Sequence, residues 1–421
     1  MTTRKIAIIG GGPIGLEAAL RARREGYDVL LFEAGRVGEH FARYGSVRLF
    51  TPFRMNSTPL GRELLRQAGA RLPEDEETLA ANDLRERYLM PLVMLREMSG
   101  VVREGLRVAG VTREGMAKGR MSGRSERPFL LRPENSRGES VAPEHADVVI
   151  DASGVYGMAN ATGSGGLPTP GEDALGARLE RHVPEILGSA RARYAGKRIL
   201  LVGDGRSAAN AIADLDDLIR AGGVGARTQV EWVHRDRGAE SFSSISQAER
   251  DELPALREID ERATRVAREA AWIHHHAGAG IVSYRALPSG MIEATLREAG
   301  GEERRVEADR VLALVGYRPD LNVFRELQVH LCYASEGPMA LAAAVLAAQA
   351  RDPGDDSGCL GQVSHGPETL KNPEPNFFIL GAKSYGRNPK FLLRLGHAQI
   401  EDVMTLLAGA ASEAPLSPMS A

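Results

Sequence analysis

Three glycines stand near the start of the chain at the spacing G-x-G-x-x-G: Gly10, Gly12 and Gly15, with Pro13 and Ile14 inside the pattern. Ile6–Ile9 before them is apolar and reads as a buried strand. Leu16–Arg24 after them is rich in Ala, Leu and Arg and reads as a helix. In such a unit the first glycine allows the tight turn and the second lets the backbone approach a pyrophosphate. The third lets helix and strand pack closely. The helix N-terminus adds unpaired N–H groups and a positive dipole end for the phosphates. Val29–Phe32 reads as the next strand, and it closes on Glu33, where an acid is expected to take ribose hydroxyls. Strand, glycine turn, helix, strand and acid together spell a dinucleotide site.

The pattern returns once. Arg198–Val202 reads as a strand, followed by Gly203, Gly205, Arg206 and Ser207, then a helix over Ala209–Arg220 and a strand over Gln229–Arg235. Small residues stand where the third glycine would be. The second strand ends in Arg235, where the first copy ends in a carboxylate. A carboxylate there repels a ribose 2′-phosphate, whereas Arg pairs with it bidentately. NADPH is therefore expected at this second site ahead of NADH.

Other chemistry-bearing residues are sparse. Cys332 and Cys359 are the only cysteines, too few for a disulfide framework, and no C-x-x-C is present. A single redox thiol at Cys332 competes with the plainer reading of a small apolar side chain. His274, His275 and His276 are consecutive. Neighbours on a strand point to opposite faces, so three in a row do not converge on one ion, and no metal site is expected. Neither a Ser-His-Asp set nor a paired-carboxylate arrangement is legible.

Positioning these groups needs more strands. Ala146–Asp151 reads as a strand ending in Ala152-Ser153-Gly154, and a similar one over 308–315 ends at Gly316. A last strand over 376–380 ends at Gly381. Further strands are expected over Trp272–Tyr284 and Met291–Leu296. Helices are expected over 60–72, 83–99, 247–270, 321–331, 336–350 and 391–407. The Arg113–Arg127 segment is polar and reads as a mobile hairpin loop, and residues 157–172 read as a Gly/Pro-rich interdomain linker.

The chain has 421 residues, 43% of them hydrophobic and 26% charged, with a net charge of −3. That balance gives no electrostatic case for nucleic acid or an anionic membrane. No signal peptide and no apolar run of about 18 residues is legible, so neither membrane insertion nor export is expected, and a cytoplasmic protein is.

This order of motifs resembles the flavoproteins with two dinucleotide-binding domains, the flavin-containing monooxygenases and the pyridine-nucleotide disulfide reductases. The resemblance implies an α/β fold class: two Rossmann-like, three-layer ββα domains, with the NADPH domain inserted in the FAD domain. The boundaries it implies are 1–165 for the first part of the FAD-binding domain, 175–309 for the NAD(P)H-binding domain and 310–408 for the second FAD part. Residues 409–421 remain as a disordered tail. It implies FAD on the first glycine turn and Glu33, completed by Ala152, Gly154 and Gly381. It implies NAD(P)H on Gly203, Gly205, Arg206, Ser207 and Arg235, with Gly316 at the second crossover. Asn56 and Ser57 fall in the loop that runs beneath the flavin ring in such proteins. Lys383 and Arg387 follow the last turn and are candidate catalytic cations beside a reduced flavin; a surface loop is the bland alternative.

The chain departs from the pattern at Ala382, where an acid often follows the glycine. The function implied is an FAD-dependent NADPH oxidoreductase. Foremost is a monooxygenase-like enzyme oxygenating a small-molecule soft nucleophile or a carbonyl. A reductase of a disulfide or other small acceptor and a non-catalytic flavin-binding sensor are the alternatives. A homodimer is common in such proteins, and the resemblance leaves the oligomeric state open.

Overall fold

The computed structural model describes residues 3–235, 253–351 and 363–412. The chain starts with β1 (Lys5–Ile9), the helix Pro13–Arg24 and β2 (Asp28–Phe32), and a short β3 (Val102–Arg103) follows at the sheet edge. It then builds a separate antiparallel sheet from β4 (Leu106–Arg113), β5 (Phe129–Asn135) and β6 (Glu144–Ala146), and returns as β7 (Val148–Asp151). A second module repeats this plan. It contains β8 (Leu179–Glu180), β9 (Arg198–Val202), the helix Arg206–Arg220, β10 (Gln229–His234) and β11 (Ile273–Ala277). The antiparallel sheet β12 (Gly280–Ala286), β13 (Ile292–Arg297) and β14 (Glu303–Ala308) comes next, then β15 (Arg310–Ala313). Finally β16 (Phe377–Ile379) rejoins the first sheet, and the helix Leu393–Ser412 closes the fold.

The two parallel sheets run β16-β7-β1-β2-β3 and β11-β10-β9-β15-β8. In each, the glycine-turn strand is central, with its successor on one side and a crossover strand on the other. Alternation builds three layers, because neighbouring residues of a strand face opposite ways. Ile6 and Ile8 face the helices, whereas Ala7 and Ile9 face Val108, Val111, Phe129 and Leu131 of the antiparallel sheet. The second module does the same: Ile199 and Leu201 meet Ile212 and Leu215, while Leu200 and Val202 meet Ile292, Ala294 and Leu296. These strands are buried on both sides and are correspondingly almost wholly apolar. The fold is the expected pair of Rossmann-like ββα domains, and all strands of the second lie between β7 and β16 of the first.

β15 pairs with β9 and β8, so this strand belongs to the second module's sheet. Several expectations are corrected. Only a single turn, Asn322–Phe324, is helical in 321–331. Trp272–Tyr284 is two strands in two different sheets, split at Gly278. The last helix continues to Ser412, so residues 409–412 are not tail, and 413–421 lie outside the described residues. The charged helix is described from Pro254 to Glu269; its expected start at 247 lies outside the described residues. The 157–172 linker is fastened: buried Glu172 accepts from Thr162 Oγ1 (2.9 Å) and Thr169 N (3.0 Å), and Tyr284 donates to Thr162. No described helix is long and apolar enough to cross a membrane.

Candidate functional site

β1 ends beneath the first glycine turn. Gly10 sits at φ 105°, and a Cβ there would lie 2.6 Å from the Ala152 carbonyl oxygen at the end of β7. A Cβ on Gly15 would strike the Gly10 carbonyl, whereas one on Gly12 would meet nothing within 4 Å. Gly10 and Gly15 are thus required by the protein's own packing, and Gly12 leaves open space. The following helix begins at Pro13 with no side-chain cap, so its first amides keep unused donors. Glu33 closes β2 and accepts from Gly11 N (2.7 Å) and Gly35 N (2.8 Å). Burial raises its pKa, and the two amide bonds oppose that rise. Each carboxylate oxygen retains a further lone pair.

The second turn reproduces this construction. Gly203 sits at φ 118°, and its missing Cβ would fall on the Leu314 carbonyl oxygen just past β15. Gly205 faces open space, the helix Arg206–Arg220 is likewise uncapped by a side chain, and buried Ala208 takes the third-glycine place. Arg235 is exposed at the end of β10. The Arg206 guanidinium lies 5.9 Å from the Phe50 ring, across from the first module.

One cavity of about 1570 Å³ connects the two turns. Gly10, Gly12, Pro13, Ile14 and Glu33 line one end, and Gly203, Gly205, Arg206, Ser207 and Arg235 line the other. Ala152, Gly154, Gly316, Gly381, Lys383 and Arg387 line the middle. Of the residues expected at the two glycine turns, Gly15 lies off the cavity, under the helix. Asn56 lines it and is tied to Thr51 (2.7 and 2.9 Å), whereas Ser57 bonds the Phe53 carbonyl away from it.

The two candidate cations are both paired. Lys383 is buried and donates to Asp151 Oδ2 at 2.6 Å and to Ser153 Oγ at 3.0 Å. Arg387 pairs with Glu336 at 2.9 Å. Cys332 is buried and does not line the cavity, and Cys359 lies outside the described residues. His276 bridges Glu231 (2.8 Å) and Glu298 (3.1 Å). Burial works against its proton, but the two carboxylates prevail and raise its pKa.

Sequence reasoning missed a cluster of rings where the modules meet. Tyr156 packs edge-on against Tyr317 with centroids 4.8 Å apart, and it also touches His40 and Tyr44. Tyr317 stacks on His182 and bonds its Nδ1 at 2.7 Å. All five residues line the cavity. Burial, then the fields of Arg43 and His182, push the His40 pKa down to about 4, so this imidazole is neutral near pH 7. The available signal was positional: Tyr156 and Tyr317 each follow a crossover glycine closely.

No family model matches the chain, and no curated protein does. Solved structures do. The chain is similar to the bacillithiol disulfide reductase Bdr (YpdA) from Bacillus cereus at 18% identity and TM-score 0.68, covering 97% of this chain and 100% of that one. It is similar to DfoA, the FAD-bound cadaverine monooxygenase of desferrioxamine biosynthesis from Erwinia amylovora, at 15% and 0.62, covering 100% and 98%. The reduced ornithine hydroxylase PvdA from Pseudomonas aeruginosa gives 16% and 0.60, covering 97% and 100%. The chain thus has the two-dinucleotide-domain fold that these reductases and hydroxylases share.

Proposed function

We propose that this protein is an FAD-dependent NADPH oxidoreductase acting as a monooxygenase on a small molecule. The observation that carries this reading is the single cavity joining two uncapped glycine turns. The residues fit the two cofactors. Open space at Gly12 and Gly205 admits a pyrophosphate close to the backbone, and neither helix start is capped by a side chain. Glu33 suits the ribose of the first dinucleotide, and Arg235 suits a 2′-phosphate on the second. FAD, when bound, supplies the redox chemistry between the nicotinamide and the acceptor.

The protein's own residues bind, orient and exclude water. Tyr44, Tyr156 and Tyr317 wall the junction with rings, which supports a dry reaction chamber. Neutral His40 and His182 add polar atoms there without adding charge. A monooxygenase is favoured over a disulfide reductase because no described thiol lines the cavity.

Anaerobic stopped-flow mixing tests this reading. The purified protein is expected to be yellow, to be reduced faster by NADPH than by NADH, and to take up oxygen afterwards. A protein that takes up no FAD overturns the whole reading. Substrate turnover that is as fast without oxygen overturns the monooxygenase part and selects the reductase.

A further inference from the structure

Asp151, Ser153 and Lys383 form a closed triangle at the floor of the cavity. Asp151 ends β7 and is fully buried, and its Oδ1 accepts from the Ser153 amide (3.1 Å) and hydroxyl (2.6 Å). Its Oδ2 accepts from Lys383 Nζ at 2.6 Å. Lys383 comes from the turn Gly381–Tyr385 that follows β16, and it also donates to Ser153 Oγ at 3.0 Å. Ser153 itself is exposed and lines the cavity.

This arrangement fixes what Ser153 can do. A serine hydroxyl has one proton and two lone pairs. The proton goes to Asp151, and one lone pair takes the Lys383 ammonium. A single acceptor lone pair remains, so Ser153 can only accept from a ligand. Lys383 has three protons and uses two in the triangle, leaving one to donate. A phosphate oxygen has no proton to give Ser153. A hydroxyl both donates and accepts, and it matches the pair.

Strand order says which hydroxyl. Across the first sheet the strand ends run Glu33 on β2, the glycine turn on β1, Ser153 after β7 and Gly381 after β16. Neighbouring strands are about 5 Å apart. A dinucleotide with a ribose at Glu33 and its pyrophosphate at Gly12 continues over β7 toward β16. In FAD the group next to the pyrophosphate on that side is the ribityl polyol. The turn after β16 has no acid to meet it, because Ala382 follows Gly381.

The geometry points to Ser153 and Lys383, held by Asp151, as the pair that recognises a ribityl hydroxyl of FAD. This rests on the FAD reading above. The test is equilibrium binding to the apoprotein, with FAD measured directly and ADP by competition. Ser153→Ala is expected to weaken FAD about tenfold and to leave ADP, which has no polyol, unchanged. Ser153→Thr keeps the hydroxyl and is expected to restore FAD binding. Wild-type protein that binds no FAD overturns the functional reading. Wild-type binding with an unaffected Ser153→Ala variant overturns only this inference, as does equal weakening of FAD and ADP.

Discussion

Gly10 is pressed against Ala152: a Cβ on the glycine would stand 2.6 Å from the alanine's carbonyl oxygen. The same relation joins Gly203 to Leu314 in the second module. Each glycine turn is therefore locked to the crossover strand beside it, and each lock is backbone on backbone, which cannot rotate away. Positive φ adds about 1–2 kcal/mol of strain for any L-residue. Gly10→Ala is expected to yield protein without bound flavin. Gly203→Ala is expected to keep flavin while NADPH no longer reduces it. Flavin content at purification and anaerobic reduction rates check both, and a Gly203→Ala protein reduced at the wild-type rate would contradict the assignment of the second turn.

Arg235 is the one residue proposed to separate the two nicotinamide cofactors. A charge-assisted hydrogen bond to the 2′-phosphate contributes about 1.5–3 kcal/mol, or about 10- to 100-fold in affinity. Arg235→Ala is expected to raise the KM for NADPH by that factor and to leave NADH unchanged. Paired titrations with both cofactors decide it. Equal loss for both would assign Arg235 to the fold instead.

These two features were legible because their signals are local. A strand, three glycines, a helix and an acid lie within one short window, and the second copy repeats it with Ala208 for the third glycine and Arg235 for the acid. Short runs of consecutive apolar residues likewise announced β1, β7, β9 and β16. Long-range pairing leaves no such trace. Lys383 reads as an available cation until Asp151, 232 positions away, is seen to hold it. The Arg113–Arg127 loop reads as mobile because it is polar, yet Arg113 and Arg124 both reach Glu374, 261 and 250 positions on. The sheet that β15 enters was illegible for a related reason, since a glycine-ended strand does not state which sheet it joins.

That Glu374 cluster predicts a pH dependence. Glu374 is fully buried, accepts from Arg113 at 2.8 Å and Arg124 at 2.5 Å, and also takes the Gln328 amide at 2.9 Å. Burial alone would raise its pKa, but these donors prevail and lower it. A carboxyl depressed by folding stabilises the protein at pH values above its unfolded pKa. That contribution is lost as pH falls through the depressed value. Glu374→Gln leaves two guanidiniums without a counter-charge and is expected to cost about 3–5 kcal/mol. In urea melts the gap between wild type and variant should stay constant above about pH 5, where a free carboxyl is ionised, and narrow below it. A gap independent of pH down to acid unfolding would show that Glu374 contributes by shape alone.

His40 gives a prediction of similar sign at higher pH. Its folded pKa is pushed down to about 4, and a free imidazole titrates near 6.5. The unfolded chain therefore takes up the proton first, and stability falls as pH drops from about 6.5 toward 4. His40→Asn is expected to flatten that part of the stability curve. It should add no step to the pH profile of turnover between about pH 6 and 8, because His40 is already neutral there. Thermal melts across this range, set beside the rate profile, test it, and a turnover pKa near 6.5 that disappears in the variant would mean that the imidazole titrates after all.

Cys332 separates the two chemistries that the shared fold permits. Its thiol pKa is lowered by hydrogen bonds from the Ser335 amide and hydroxyl, which by itself invites a redox role. Position argues otherwise. The residue is buried in a turn closed by its own amide bond to the Gly337 carbonyl (2.8 Å), and that turn packs on Arg387 through the Ser335 carbonyl (2.7 Å). No atom of Cys332 lines the cavity. Thiol–disulfide exchange would need this sulfur to reach a substrate disulfide, and the turn would have to open for that. Cys332→Ala removes one buried sulfur and is expected to cost about 1 kcal/mol of stability. NADPH-driven flavin reduction and oxygen-dependent turnover should remain at wild-type rates. Anaerobic NADPH consumption with a small aromatic disulfide, run on wild type and variant together, gives the answer: activity present in the first and absent in the second would move this protein to the reductases.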